Sequence, residues 1–242
     1  MGGGVWGLWL ALSAMEHEPT MDAEHAERIR RWHASVVIDS AYQSELALDY
    51  LGAFLVIPGD VHPITGVSHL LGEAVLAEVR PGDRVLDMGT GCGVNAVLAA
   101  RTAGEVVAVD VNPAAVEAAR ANVERNGLGN VVVRHSDVYS AVEGRFDLVV
   151  FDPPFRWFEP CSPVEAAITD HGYRAMNAFF AGLDEHLADG GRVLIFFGTS
   201  GDIGHLHAQA EKTGLRRETL ATATHTRDDW TAEYFTYRMT RA

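Results

Sequence analysis

The stretch Val85-Leu86-Asp87-Met88-Gly89-Thr90-Gly91-Cys92-Gly93 decides the fold. A buried strand, Arg84 to Met88, runs straight into a glycine turn, and helical spacing resumes from Val94 to Arg101. Strand, glycine turn and helix in that order hold a nucleoside at the strand ends. A dinucleotide-binding turn spaces its glycines Gly-x-Gly-x-x-Gly, so that a pyrophosphate sits on the helix N-terminus. Here the spacing is Gly-x-Gly-x-Gly, and Asp87 stands just before it. A carboxylate there repels a pyrophosphate but suits a sulfonium and an amino-acid ammonium. The turn therefore favours S-adenosylmethionine over NAD, with Asp87, Gly89, Thr90, Gly91 and Gly93 around it. A glycine-rich turn with no ligand is the alternative.

Outward from this turn, strands and helices alternate. Glu105 to Asp110 reads as a strand, and Pro113 to Asn126 as a helix with Asn112 as N-cap and proline at its first position. Asn130 to His135, Phe146 to Phe151 and Arg192 to Phe197 read as further strands, and His171 to Leu187 as a helix. A helix from Ile203 to Thr213 leads to two β-rich runs, Arg216 to Ala223 and Ala232 to Thr240, which suggest an antiparallel hairpin at one sheet edge. The expected fold is α/β: a Rossmann-like, doubly wound, mostly parallel seven-stranded sheet ending in that hairpin.

Ahead of the sheet, Met21 to Leu51 carries helical spacing (Ala26, Ile29, Trp32, Val36) and reads as a small helical appendage. The expected division is residues 1–52 as appendage and 53–242 as catalytic domain. Phe54 to Gly66 reads as a short strand and a proline-bent loop, and Val67 to Val79 as a helix. The apolar run Val5 to Ala14 is too short to span a membrane and has no basic residue before it, so it reads as disordered or as a small interaction helix.

The chain has 242 residues, enough for one substantial core. With 19 basic and 33 acidic residues it carries a formal net charge of -14, which disfavours a nucleic-acid partner unless a local basic patch overrides the total. Cys92 and Cys161 make no disulfide framework, which fits a cytoplasmic location. His205 and His207, two apart on a helix, point to different faces, so no metal site is expected. Phe179 and Phe180 read as core, and Cys92 as a small filler.

Chemistry collects where strands end. Asp110, with Val111 after it, can accept hydrogen bonds from both hydroxyls of a ribose, although a charge at a helix start explains it too. Asp137 and Val138, after the third strand, can meet an adenine through a carboxylate and a backbone N–H; a solvent-facing loop acid explains Asp137 about as well. Phe151-Asp152-Pro153-Pro154-Phe155 follows the fourth strand. Two prolines donate no hydrogen bond, leave their carbonyls free and fix the chain direction, so the loop is a rigid acceptor array. An amino or amide nitrogen has hydrogens to donate to Asp152 and a loop carbonyl while Phe155 stacks on its planar group. Asp152, Pro153, Pro154 and Phe155 are thus the expected catalytic residues.

These residues resemble the class I S-adenosylmethionine-dependent methyltransferases, and among them the HemK-like release-factor glutamine methyltransferase branch. The resemblance covers roughly Val56 to Thr199. It implies that His62-Pro63-Ile64-Thr65 is similar to that branch's Pro-x-Thr element beside the site, so Thr65 and His62, with Arg156, are expected at the substrate. Two departures limit it. That branch carries Asn-Pro-Pro-Tyr where this chain has Asp152-Pro153-Pro154-Phe155, and an ionised Asp only accepts whereas Asn also donates. The N-terminal part looks shorter than the helical domain that recognises release factors.

The expected activity is N-methylation of an amide or amino group on a protein, peptide or small molecule. The alternatives are a methyltransferase of RNA or DNA base amino groups, toward which Asp-Pro-Pro-aromatic motifs point, and a binding module that kept the cofactor fold.

Overall fold

The computed structural model describes residues 17–40, 44–161, 165–227 and 229–241. The apolar run Val5 to Ala14 lies outside them, as does Asp228.

Seven strands form one sheet in the order β5-β4-β3-β6-β7-β9-β8. In chain order these are β3 (Arg84–Met88), β4 (Glu105–Asp110), β5 (Val131–His135), β6 (Phe146–Phe151), β7 (Leu187–Gly198), β8 (Leu215–Arg227) and β9 (Trp230–Arg241). The five from β5 to β7 run parallel, and β9 lies antiparallel between β7 and the edge strand β8. Val106-Val-Ala-Val109 and Leu148-Val-Val150 are continuous apolar runs because helices cover both faces of a parallel sheet. Those helices are α2 (His69–Glu78), α3 (Val94–Ala100), α4 (Pro113–Arg125), α5 (Arg174–His186) and α6 (Ile203–Lys212). Asn112 caps α4 as its type and the following proline predict, accepting from the Ala114 amide at 3.0 Å. Chain order reverses across the sheet at β3, so a crevice opens at the strand ends there.

Some boundaries move. The strand expected at Arg192 begins at Leu187, because Phe146 pairs with Leu187 across a register shift and the Asp189-Gly-Gly191 segment is carried inside β7. Both strands of the terminal hairpin are longer than their apolar cores.

The N-terminal helix α1 (Ala23–Ser40) stops short of Leu51. Leu46–Tyr50 instead forms β1, antiparallel to β2 (Ala53–Ile57), around the two-residue turn Leu51-Gly52. Both turn residues have positive φ, 48° and 78°, which fits the twist of a tight hairpin. The outer edge of β2 is then occupied by side chains. Asn126 accepts from the Phe54 N–H and donates to its carbonyl; Asn122 does the same for Val56. Four residues along a helix advance about 6 Å and two along a strand about 6.6 Å, so two amides on α4 stand in for two rungs of a ladder. Helix α1 packs its Trp32 ring edge-on to Trp230 of β9 at 5.0 Å, joining the appendage to the main core.

Candidate functional site

The glycine turn, Asp110, Asp137 and the Asp152–Phe155 loop all lie at the carboxyl ends of neighbouring strands. Register pairs Met88 with Phe151, so Asp152 follows opposite the start of the glycine turn. Gly89, Gly91 and Gly93 all have positive φ. A methyl group added at Gly91 would meet nothing within 4 Å, whereas one at Gly93 would press on the Ala119 backbone and side chain at 3.0 Å. Gly93 is thus required for helix packing, and Gly91 borders open space where a ligand can approach the backbone.

Asp87 is only 1% exposed. One of its oxygens accepts from the Thr90 hydroxyl at 2.5 Å and the Ala96 amide at 3.0 Å; the other accepts from no described residue. Burial outweighs those bonds and pushes its carboxyl up to about 7. Asp110 accepts from the Gly91 amide through one oxygen and from the Asn112 amide through the other, each at 2.8 Å, and burial raises its carboxyl. Each oxygen keeps a lone pair for a further donor. Beside it Val111 is 57% exposed, an apolar face next to a polar hook. Val138 takes positive φ, 49°, and Asp137 holds the Arg174 guanidinium through two bonds of 3.0 Å.

Asp152 opens to solvent in the crevice but is walled by protein. Those walls first, then the Asp87 carboxylate, push its carboxyl up to about 7. Pro153 is buried and Pro154 half-buried. Phe155 is only 9% exposed, its ring packed on Phe197 at 4.7 Å and Phe196 at 5.6 Å. Most of the ring expected to stack on an acceptor is therefore used by the core. Arg156 and His62 are brought together: the guanidinium is the charge that the imidazole feels. Thr65 stays exposed, its N–H donating to the Ser68 hydroxyl at the start of α2. Phe179 and Phe180 are core residues, and Cys92 is buried with its thiol pushed up to about 12, as a filler would be. Among the described residues no cluster of potential metal ligands occurs, and no helix is long and apolar enough to cross a membrane.

Three residues at the site have no mark in the sequence. Tyr50, carried in by the hairpin, keeps a buried hydroxyl that makes no hydrogen bond with any described residue; burial, then Glu73 and Asp152, pushes it up to about 12. Tyr173, itself at positive φ, donates to the Phe155 carbonyl at 2.6 Å and accepts from the Asp202 amide at 2.7 Å, so it braces the proline loop from behind. Asp202 in turn accepts from His17 and Thr20. Asn122 links Val56 to the glycine turn by donating to the Cys92 carbonyl at 2.8 Å.

Residues 66–206 match the family model of the methyltransferase small domain. A ribosomal protein L11 methyltransferase of Ralstonia nicotianae is 38% identical over 143 residues, 59% of this chain and 44% of the relative; that of Pelotomaculum thermopropionicum is 57% identical over 74 residues, 30% and 24%. The chain thus spans less than half the length of these curated relatives. They carry that name rather than the name of the release-factor glutamine branch that the proline loop resembles. Among solved structures, the T. thermophilus 16S rRNA N2 G1207 methyltransferase in complex with AdoMet and guanosine shares the fold at a TM-score of 0.58 and 24% identity, over 82% of this chain and 50% of that one. The ribosomal protein L11 methylase of Lactobacillus delbrueckii gives 0.52 and 20%, over 73% and 80%. Open glycine cradle, paired carboxylates at successive strand ends and matching family model agree: the chain belongs to the methyltransferase small domain family.

Proposed function

We propose that the chain methylates an amino or amide nitrogen of a protein, peptide or small-molecule acceptor held at Asp152. The observation that carries this is the Asp152 carboxyl, set at the crevice opposite the glycine turn and pushed up to about 7. In this reading Asp87, Gly89, Thr90, Gly91 and Gly93 hold the methionine part of the cofactor. Asp110 and Val111 take the ribose, and Asp137 with Val138 the adenine. The bound cofactor supplies a methyl group on a cationic sulfur.

Asp152 and the Pro153–Pro154 carbonyls accept the hydrogens of the acceptor nitrogen and turn its lone pair toward that methyl. As the nitrogen forms its new bond to carbon it becomes cationic, and a carboxylate beside it stabilises that charge. With a pKa near neutrality, Asp152 is also matched to receive the departing proton. Phe155 contributes mainly by keeping the loop seated, and Thr65, His62 and Arg156 border the acceptor. A protein acceptor is in keeping with the relatives' name, and a carboxylate in place of the branch's Asn disfavours glutamine.

A second reading, methylation of an RNA base amino group, draws on one observation. Arg28, Arg31 and Arg227 line a groove with Trp32 and Trp230 between α1 and the β8–β9 hairpin, a local basic and aromatic surface on an acidic protein.

Labelled S-adenosylmethionine incubated with fractionated cell extract tests both readings by whether label enters protein, RNA or small molecules. Asp152→Ala is expected to abolish labelling while leaving S-adenosylmethionine affinity within about twofold. Equal loss of labelling and cofactor affinity overturns the division of roles.

A further inference from the structure

Two arginines are buried in this protein, and they are treated differently. Arg192, 3% exposed, donates to Asp83 at 2.6 Å, to the Asp147 carbonyl at 3.1 Å and to the Glu78 carbonyl, with the Glu78 carboxylate beside it. Arg156 is 6% exposed, and its side chain makes no hydrogen bond or ion pair with any described residue. Its Nε is sealed from solvent without a partner. The charge nearest to hand in the sequence, Asp152, feels Asp87 and not Arg156. Around the guanidinium stand the Phe155 ring at 5.9 Å and the Tyr173 and Tyr234 side chains, and its charge also reaches His33, whose own carboxylate partner is Glu165 at 2.7 Å. The Arg156 charge also reaches His62 in the proline-bent loop, and the His62 Nδ1 is likewise sealed and without a partner among the described residues.

A buried cation without a counter-ion is destabilising, and a rigid fold that keeps one has a use for it. The position is fixed by the backbone, since the Arg156 carbonyl accepts from the Asp170 amide at 2.7 Å and the isolated bridge to Thr169 holds the strand segment. We propose that the Arg156 guanidinium, with His62 in its neighbourhood, binds an oxyanion carried by the methyl acceptor. A planar fork of N–H donors matches a carboxylate or phosphate in two parallel bonds. Burial, then the Arg156 charge, pushes His62 down to about 4, so it adds a ring nitrogen and no second positive charge. The substrate class that results is an acceptor with a methylatable nitrogen at one end, held at Asp152, and a carboxylate or phosphate at the other. This rests on the methyltransferase reading for the nitrogen end alone.

The test uses the full chain saturated with S-adenosylhomocysteine and titrated with benzoate and with phenyl phosphate in a calorimeter. One site in the millimolar range is expected, weakened tenfold or more in Arg156→Gln and unchanged in Arg216→Gln, an exposed arginine. Tighter benzoate assigns a carboxylate, tighter phenyl phosphate a phosphate. No binding by the wild-type chain, or equal binding by Arg156→Gln, overturns the proposal. Should Arg156→Gln fail to fold, arginine Nε–H spectra of the wild-type chain decide: one sealed signal shifts on titration, and the absence of any shift overturns it. Failure of S-adenosylhomocysteine itself to bind sinks the methyltransferase reading, and the same two titrations on the cofactor-free chain then judge the oxyanion site separately.

Discussion

Asp152 and Asp87 are two carboxyls brought near one another at the ends of adjacent strands, each pushed up to about 7, Asp87 chiefly by burial and Asp152 by the protein walls around it and then by Asp87. An unfolded Asp titrates near 3.9, so folding takes up protons at these sites and the free protein loses stability as pH climbs from about 4 to about 7. Asp152→Asn removes the Asp152 share of that loss. Thermal scans are expected to show the variant melting above wild type at pH 8 and level with it at pH 4; a gain at both, or at neither, contradicts the raised carboxyl. The candidate carboxylates were legible as residues because each follows an apolar strand directly. The state of Asp152 was not, since it depends on walls and on a charge sixty-odd positions away in the chain. Phe155 marks the same limit: an aromatic after two prolines looks like a stacking face, and only the packing of Phe196 and Phe197 reveals that the core takes most of it.

Elements with strong local patterns fell where their periodicity put them: β3, β4, β6 and α4 match the sequence reading to within a residue or so. The β1–β2 hairpin did not. Leu46, Leu48 and Tyr50 alternate over only five residues with the apolar Ala47 between the first two, and the turn is Leu51-Gly52 rather than a pair built from Asn or Asp, so the local signal for a strand was weak against the helical spacing before it. What holds it is tertiary, the two amides of α4. Asn122→Ala leaves the half-buried Val56 N–H and carbonyl and the buried Cys92 carbonyl without these partners, an expected cost of about 2–4 kcal/mol and a melting temperature lower by roughly 5–15 °C. Asn126→Ala acts on a more exposed rung and is expected to cost about 1 kcal/mol. Equal costs in denaturant titrations would contradict the assignment of Asn122 as the buried one of the pair.

Across the whole molecule, charge and site pull in opposite directions. A net charge of -14 draws a cationic cofactor toward the crevice, where burial has pushed the Asp87 carboxyl up to about 7. An ammonium placed beside it favours the ionised form, so cofactor binding is expected to release protons near neutral pH and to tighten as pH rises from 6 to 8. Calorimetry in two buffers of different ionisation heat reads that release; an unchanged heat contradicts it. The same amide that pins the hairpin reaches further than stability. Asn122 holds Val56 with one hand and the Cys92 carbonyl of the glycine turn with the other, while Tyr50 rides on the far strand of that hairpin toward Asp152. In the proposed reading, the floor of the donor cradle and one wall of the acceptor cleft are therefore tied together by one side-chain amide, so the shape that meets the acceptor depends on the piece that seats the methyl donor.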